Sequence, residues 1–166
     1  KESKLEQTPE DILSISPYHK LPILVDRDLA IHDPSVMMEY LDERFPHPPL
    51  MPVYPIAKAK IRLILFRIKQ DWCNLVDKIE NNPSNELKKE LLESILSIIS
   101  VFDSHEFFMS NEFTLADAAI IPIFWRLPKL GIEIPEKFEN FHKYCERMFA
   151  RKSFENSLSQ DEKNMR

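Results

Sequence analysis

Thr114-Leu115-Ala116-Asp117, followed by Ala118-Ala119-Ile120-Ile121-Pro122-Ile123-Phe124-Trp125, is the stretch on which the fold turns. A threonine with a carboxylate three residues later forms a capping box, in which each side chain accepts from the other residue's backbone N–H. The residues that follow are apolar all round, so the segment is expected as a helix at the buried centre of a bundle. Pro122 removes one donor inside it and predicts a bend. The apolar run Ala118 to Trp125 is far too short to cross a bilayer.

Helical periodicity continues on both sides of this segment. Ile61, Ile64, Leu65, Ile68, Trp72, Leu75, Val76 and Ile79 recur at steps of three and four, predicting one long helix over 56–79. Lys58, Arg62 and Lys69 fall along one border of its apolar face and Lys60 and Arg67 along the other, where they cover the stripe or line a dimer seam or an anion cleft. Asn81-Asn82-Pro83-Ser84 breaks the chain before an amphipathic helix carrying Leu87, Leu91, Ile95, Ile98, Ile99 and Phe102. Phe138, Phe141, Cys145 and Met148 mark a later helix, Ser153 is expected to cap a short one, and the tail from Gln160 to Arg166 reads as solvated.

Upstream, Thr8-Pro9-Glu10-Asp11 predicts a helix start and a short helix to about Ser16. Leu21-Pro22-Ile23-Leu24-Val25 and Leu29-Ala30-Ile31, separated by Asp26-Arg27-Asp28, read as a β-hairpin. Asp33 caps a second helix with Pro34 in its first turn and Val36, Met37, Tyr40 and Leu41 as its apolar side. Pro46-His47-Pro48-Pro49-Leu50-Met51-Pro52-Val53-Tyr54-Pro55 then places five prolines in ten residues. Such a run is neither helix nor central strand. It is expected as a stiff loop that loses little entropy when a partner binds it, or as a rigid linker between subdomains.

Composition excludes several functions. With 166 residues, a net charge of -5 and a pI near 5.6, the chain lacks the clustered positive field of a nucleic-acid binder. The single glycine, Gly131, rules out a phosphate-cradling glycine loop. Cys73 and Cys145 are too far apart in sequence for a metal motif, and His19, His32, His47, His105 and His142 are scattered. No cofactor or metal is called for. Lys1-Glu2-Ser3-Lys4 is not a secretory signal, so a cytoplasmic location without membrane contact is expected. The first residue is not Met, and the chain is expected to begin inside a longer one.

A capped, all-round apolar helix in a bundle, preceded by Leu21-Pro22 before a hairpin and a capped helix, resembles the glutathione transferase fold over nearly the whole chain. The resemblance implies an α+β architecture: a partial thioredoxin-like domain over 1–45, lacking its first strand, helix and strand; a proline-rich linker loop over 46–55; and an all-helical domain over 56–166. It also implies a cis bond at Leu21-Pro22. Closer wording, Leu24-Val25-Asp26-Arg27, Met38-Glu39-Tyr40-Leu41-Asp42-Glu43-Arg44-Phe45-Pro46-His47-Pro48-Pro49 and Trp125-Arg126-Leu127-Pro128, is similar to the stringent starvation protein A family. That family keeps the transferase fold but regulates bacterial transcription, binding RNA polymerase holoenzyme with its principal sigma factor in starvation and acid stress. The resemblance makes the proline-histidine loop, with Phe45, Pro46, His47, Pro48 and Pro49, the expected polymerase contact, and Arg27, Arg44, His47 and Tyr54 are expected to rim it. A homodimer through the helices at 35–44 and 56–79 is expected with it.

The residues speak separately to the enzymatic alternative, a glutathione-dependent transferase or reductase. In transferases a Glu-Ser or Gln-Ser pair holds the tripeptide's γ-glutamyl carboxylate where this chain has Asp33-Pro34. Proline supplies neither the hydroxyl nor the N–H, and two charge-assisted bonds of roughly 1.5–3 kcal/mol each are lost, weakening affinity on the order of a hundredfold or more. Ser35, one step later, is a partial substitute. The expectation is therefore a non-enzymatic regulator. A scaffold-like dimer that binds no polymerase, and a guanosine polyphosphate sensor using the basic residues of 56–79, are the further alternatives.

Overall fold

The computed structural model describes residues 21–166, so the helix expected from Thr8 to Ser16 lies outside the described residues. The chain divides into two compact units, Lys1–Met51 and Pro52–Arg166.

In the first unit, β1 (Leu24–Asp26) and β2 (Leu29–Ile31) pair antiparallel, with Leu24 opposite Ile31, Val25 opposite Ala30 and Asp26 opposite Leu29. Arg27 opens the two-residue connection at φ 59°, the positive region that a tight hairpin needs and that costs a non-glycine residue about 1 kcal/mol. The Leu21–Pro22 peptide is cis. Helix α1 (Pro34–Arg44) begins at Asp33, whose Oδ1 accepts from Ser35 N at 2.9 Å and Val36 N at 3.3 Å. Pro34 sits where the backbone N–H has no helical partner, so nothing is lost there. The apolar side of α1 is narrower than the sequence predicts. Met37 is buried and Tyr40 half-buried, whereas Val36 and Leu41 are exposed. These two residues lie about 140° apart around the helix and flank the buried strip.

The second unit is helical. Helix α2 (Pro55–Arg67) runs through a π-helical stretch, Ile68–Cys73, into α3 (Asn74–Asn81). The single helix expected over 56–79 is thus locally widened. Its apolar face survives, since Ile61, Leu65, Ile68, Trp72, Leu75, Val76 and Ile79 are all buried. Helices α4 (Asn85–Ile98), α5 (Val101–Ser104), α6 (Leu115–Arg126), α7 (Glu139–Phe149), α8 (Lys152–Ser157) and α9 (Gln160–Lys163) follow. Trp72, Phe102, Phe108, Phe124, Phe141 and Tyr144 form a contiguous aromatic cluster with centroid separations of 4.6 to 6.2 Å.

Helix α6 has the capping box expected at Thr114 and Asp117, and Asp117 does more than cap. Its fully buried carboxylate accepts from Thr114 N (2.9 Å), Phe108 N (2.8 Å) and the Tyr144 hydroxyl (2.8 Å), tying together the loop before α6, its first turn and α7. Gly131 turns the chain after α6 at φ 71°, a conformation that a side chain there would strain.

Two readings of the C-terminal end change. The cap residue of α8 is Arg151 and its side chain makes no capping bond, so Ser153 is not the cap; Ser159 caps α9 instead, in a second capping box with Glu162. The segment 160–166 is also not merely solvated. Glu162 pairs with Arg126, its backbone carbonyl accepts from Trp125 Nε1 at 2.9 Å, and the Arg166 guanidinium lies 4.4 Å from the Phe149 ring and 5.2 Å from the Trp125 ring. Cation–π contact and a half-buried ion pair hold the segment to α6 and α7.

Candidate functional site

The expected contact residues from Arg27 to Pro49 all fall in the first unit, Arg27 on the hairpin connection and the rest at and just beyond the C-terminal end of α1. Phe45 closes the helix, its N–H donating to Leu41 O at 2.9 Å, and is 67% exposed. The side chains of Pro46, His47, Pro48 and Pro49 are all exposed as well. The His47–Pro48 peptide is cis, and His47 N donates to Phe45 O at 2.9 Å. At its far end the loop is held by Asp42, whose Oδ1 accepts from Leu50 N at 2.6 Å and Oδ2 from Met51 N at 3.1 Å. Leu50 is half-buried and Met51 buried, so the loop shows five consecutive side chains to solvent and is tucked in immediately afterwards.

Arg44 is oriented from two sides. Its Nε lies 3.7 Å from Asp26 Oδ2, and its Cζ is 5.6 Å from the centre of the Phe45 ring. Tyr40 donates its hydroxyl to the same Asp26 oxygen, a bond that, with desolvation, pushes the phenol above its ordinary pKa. Asp26 therefore joins the hairpin to the last turns of α1. Arg27 follows it on the hairpin connection, exposed. Tyr54 belongs to the second unit, where it is 78% exposed and precedes α2 with its carbonyl accepting from Lys58 N at 2.9 Å.

Asp42, Asp26 and Tyr40 are the parts of this arrangement that sequence reading passes over. Asp42 reads as an ordinary solvated acid. One signal is available: a carboxylate in the last turn of a helix faces the negative end of the helix dipole, at a cost of about 0.3–1 kcal/mol, and so needs donors from elsewhere.

Other candidate chemistry is weaker. The first amides of α1, Ser35 N and Val36 N, are occupied by Asp33. Burial pushes the Cys145 thiol up to about 12 and also raises Cys73, which keeps both in the unreactive thiol form. Among the described residues no group of three or more His, Cys, Asp or Glu is placed to hold a metal ion, and no helix is long and apolar enough to cross a membrane. In the second unit a cavity of about 110 Å³ opens beside the π-helical stretch, between Ile64, Ile68, Trp72, Ser94, Ile98 and Phe108. The Trp72 indole in its wall is fixed by donating to Ser94 Oγ at 2.9 Å.

Comparison with known proteins supports this architecture. Residues 1–49 match the glutathione S-transferase N-terminal domain and residues 56–152 the glutathione S-transferase C-terminal domain. Among solved structures, an epsilon-class glutathione S-transferase from the housefly Musca domestica superposes with a TM-score of 0.80 at 17% identity, over 95% of this chain and 77% of that one. Gtt2 from Saccharomyces cerevisiae gives 0.74 at 21% identity, over 90% and 80%. At such identities the likeness concerns fold. Sequence relatives are nearer: a stringent starvation protein A homolog from Coxiella burnetii is 41% identical over 95% of this chain and 77% of its own length. One from Haemophilus ducreyi is 47% identical over 90% and 72%. The chain belongs to the stringent starvation protein A family, which is built on the glutathione transferase fold.

Proposed function

We propose that this protein is a bacterial transcription regulator that associates with RNA polymerase holoenzyme carrying its principal sigma factor and acts by protein contact in starvation and acid stress. The observation that carries this reading is the row of five exposed side chains, Phe45 to Pro49, on a loop held at both ends, in a chain of this family. Rings and prolines on a stiff support form the apolar centre of a small interface, and Arg27, Arg44 and His47 of the same unit serve as its polar rim. Binding there orders little that is not already ordered, which favours affinity from a small area.

The reading is non-enzymatic and calls for no cofactor. Supporting it, Asp33 satisfies the two amides at the start of α1, where an incoming γ-glutamyl carboxylate would meet a like charge, and Pro34 offers no donor. The protein is placed in the cytoplasm as a homodimer through the helices at 35–44 and 56–79. On α2, Ile56, Leu63 and Phe66 are exposed on the face opposite the buried stripe and form an apolar seam for a second copy.

The experiment is binding of purified polymerase holoenzyme by the natural protein and by a variant with Pro46, His47 and Pro48 replaced by alanine. The natural protein is expected to bind and the variant to lose binding at nearly unchanged thermal stability. Equal losses of folding and binding would make the loop structural. Retention on immobilised glutathione would favour the transferase or reductase reading, to which more distant relatives point, such as a probable glutathione S-transferase of Glycine max at 26% identity.

A further inference from the structure

Between Pro46 and Met51 the backbone has three N–H groups, those of His47, Leu50 and Met51, because Pro46, Pro48 and Pro49 have none. All three are bonded within the first unit. His47 N donates to Phe45 O, and Leu50 N and Met51 N divide between the two oxygens of Asp42. The carbonyls of Pro46, His47, Pro48 and Pro49 accept from no described residue. This stretch of exposed residues therefore has backbone acceptors without an internal partner and no backbone donor to spare.

We propose that Asp42 is the positioning residue of the docking loop, and that it leaves a knob whose partner must bring apolar or aromatic side chains together with hydrogen-bond donors. A partner cannot add to it as an extended strand. Strand addition needs alternating donors and acceptors along the receiving edge, and here every donor is absent or already used. The exposed Phe45 ring and the three pyrrolidine rings supply the apolar area. Asp42 is suited to its task by an otherwise unfavourable place. In the last turn of α1 its carboxylate gains nothing from the helix, so the two amides eight and nine residues on are its stabilising partners. Fixing both ends of the loop also removes the ordering cost of binding.

This inference deepens the reading of the loop as the polymerase contact, and its test separates the two. Asp42→Ala and Asp42→Asn are made in the natural protein and followed by amide hydrogen exchange at Leu50 and Met51, by holoenzyme binding and by thermal unfolding. In Asp42→Ala both amides are expected to exchange fast and binding to weaken by about tenfold or more, with the thermal midpoint within a few degrees. Asp42→Asn retains one oxygen acceptor and should fall between, a graded rescue that general destabilisation does not produce. Fast exchange of Leu50 in the natural protein overturns the proposal, and so does full binding by Asp42→Ala once its amides exchange fast. If the natural protein fails to bind holoenzyme, the polymerase reading falls, and the exchange measurement decides the role of Asp42 by itself.

Discussion

Asp117 and Asp42 do the same chemical job in opposite surroundings. Each carboxylate gathers two backbone N–H groups, Phe108 N and Thr114 N for Asp117, Leu50 N and Met51 N for Asp42. Asp117 is fully buried, takes a further bond from the Tyr144 hydroxyl, and sits against the aromatic cluster. Asp42 is half-buried and holds a loop whose side chains face water. One device thus serves folding in the second unit and surface shape in the first. A buried clamp is expensive to break because its donors are stranded, while an exposed clamp can be broken cheaply because water replaces it.

The largest expected effect tests that contrast in the core. Asp117→Ala strands Phe108 N, Thr114 N and the Tyr144 hydroxyl and should lower unfolding free energy by about 3 kcal/mol or more, read by denaturant unfolding. A loss no greater than that of Asp42→Ala would break the comparison. Next, Glu162→Ala removes the ion pair to Arg126 and the second capping box and should cost about 1 kcal/mol, with the Trp125 fluorescence reporting the freed segment. Smaller still is the stability effect of replacing Pro46, His47 and Pro48 by alanine, about 1 kcal/mol or less by thermal unfolding, through the greater freedom of the unfolded chain.

The least effect is a difference in pH slope between two carboxyls. Burial pushes Asp117 up, only partly offset by the N–H groups of Phe108 and Thr114 and the hydroxyls of Tyr144 and Thr114. Its folded form holds its proton more tightly than the unfolded chain, so its contribution is fully present below about pH 4 and declines as pH rises through the folded value. Asp117→Asn should flatten that decline. Glu162 behaves oppositely. Burial raises it, but the Ser159 N–H and hydroxyl and the Arg126 guanidinium outweigh that and leave it below the usual carboxylate range. Its contribution is present above about pH 4 and is lost as pH falls through the folded value. Across pH 3 to 8 the Asp117→Asn curve should therefore separate from that of the natural protein as pH rises above about 4, whereas the gap between Glu162→Ala and the natural protein should close as pH falls below about 4, and gaps that change in the same pH window would contradict the assignment.

What could be read from the sequence was local. The capping box at Thr114 and Asp117, the Asp33 cap, the hairpin between Leu24 and Ile31, and the apolar stripe from Ile61 to Ile79 depend on neighbours within a turn or two, and the structure has them. The proline run foretold an irregular segment because proline acts on its own backbone and its predecessor. The misreadings came from distance. Asp42 reaches amides eight and nine residues away, and Arg126 meets Glu162 across 36 residues, which no periodicity encodes. The π-helical stretch at Ile68–Cys73 escaped because its apolar spacing is the same as that of a regular helix. Val36 and Leu41 looked like core because the width of a buried strip depends on what packs against it.

The most direct measurement places a photo-crosslinking side chain at position 47, and in a second preparation at the exposed Lys143 on α7, and incubates each with purified polymerase holoenzyme. The account predicts a crosslink to a polymerase or sigma subunit from position 47 and none from position 143. No crosslink from 47, or equal crosslinking from both positions, would contradict it.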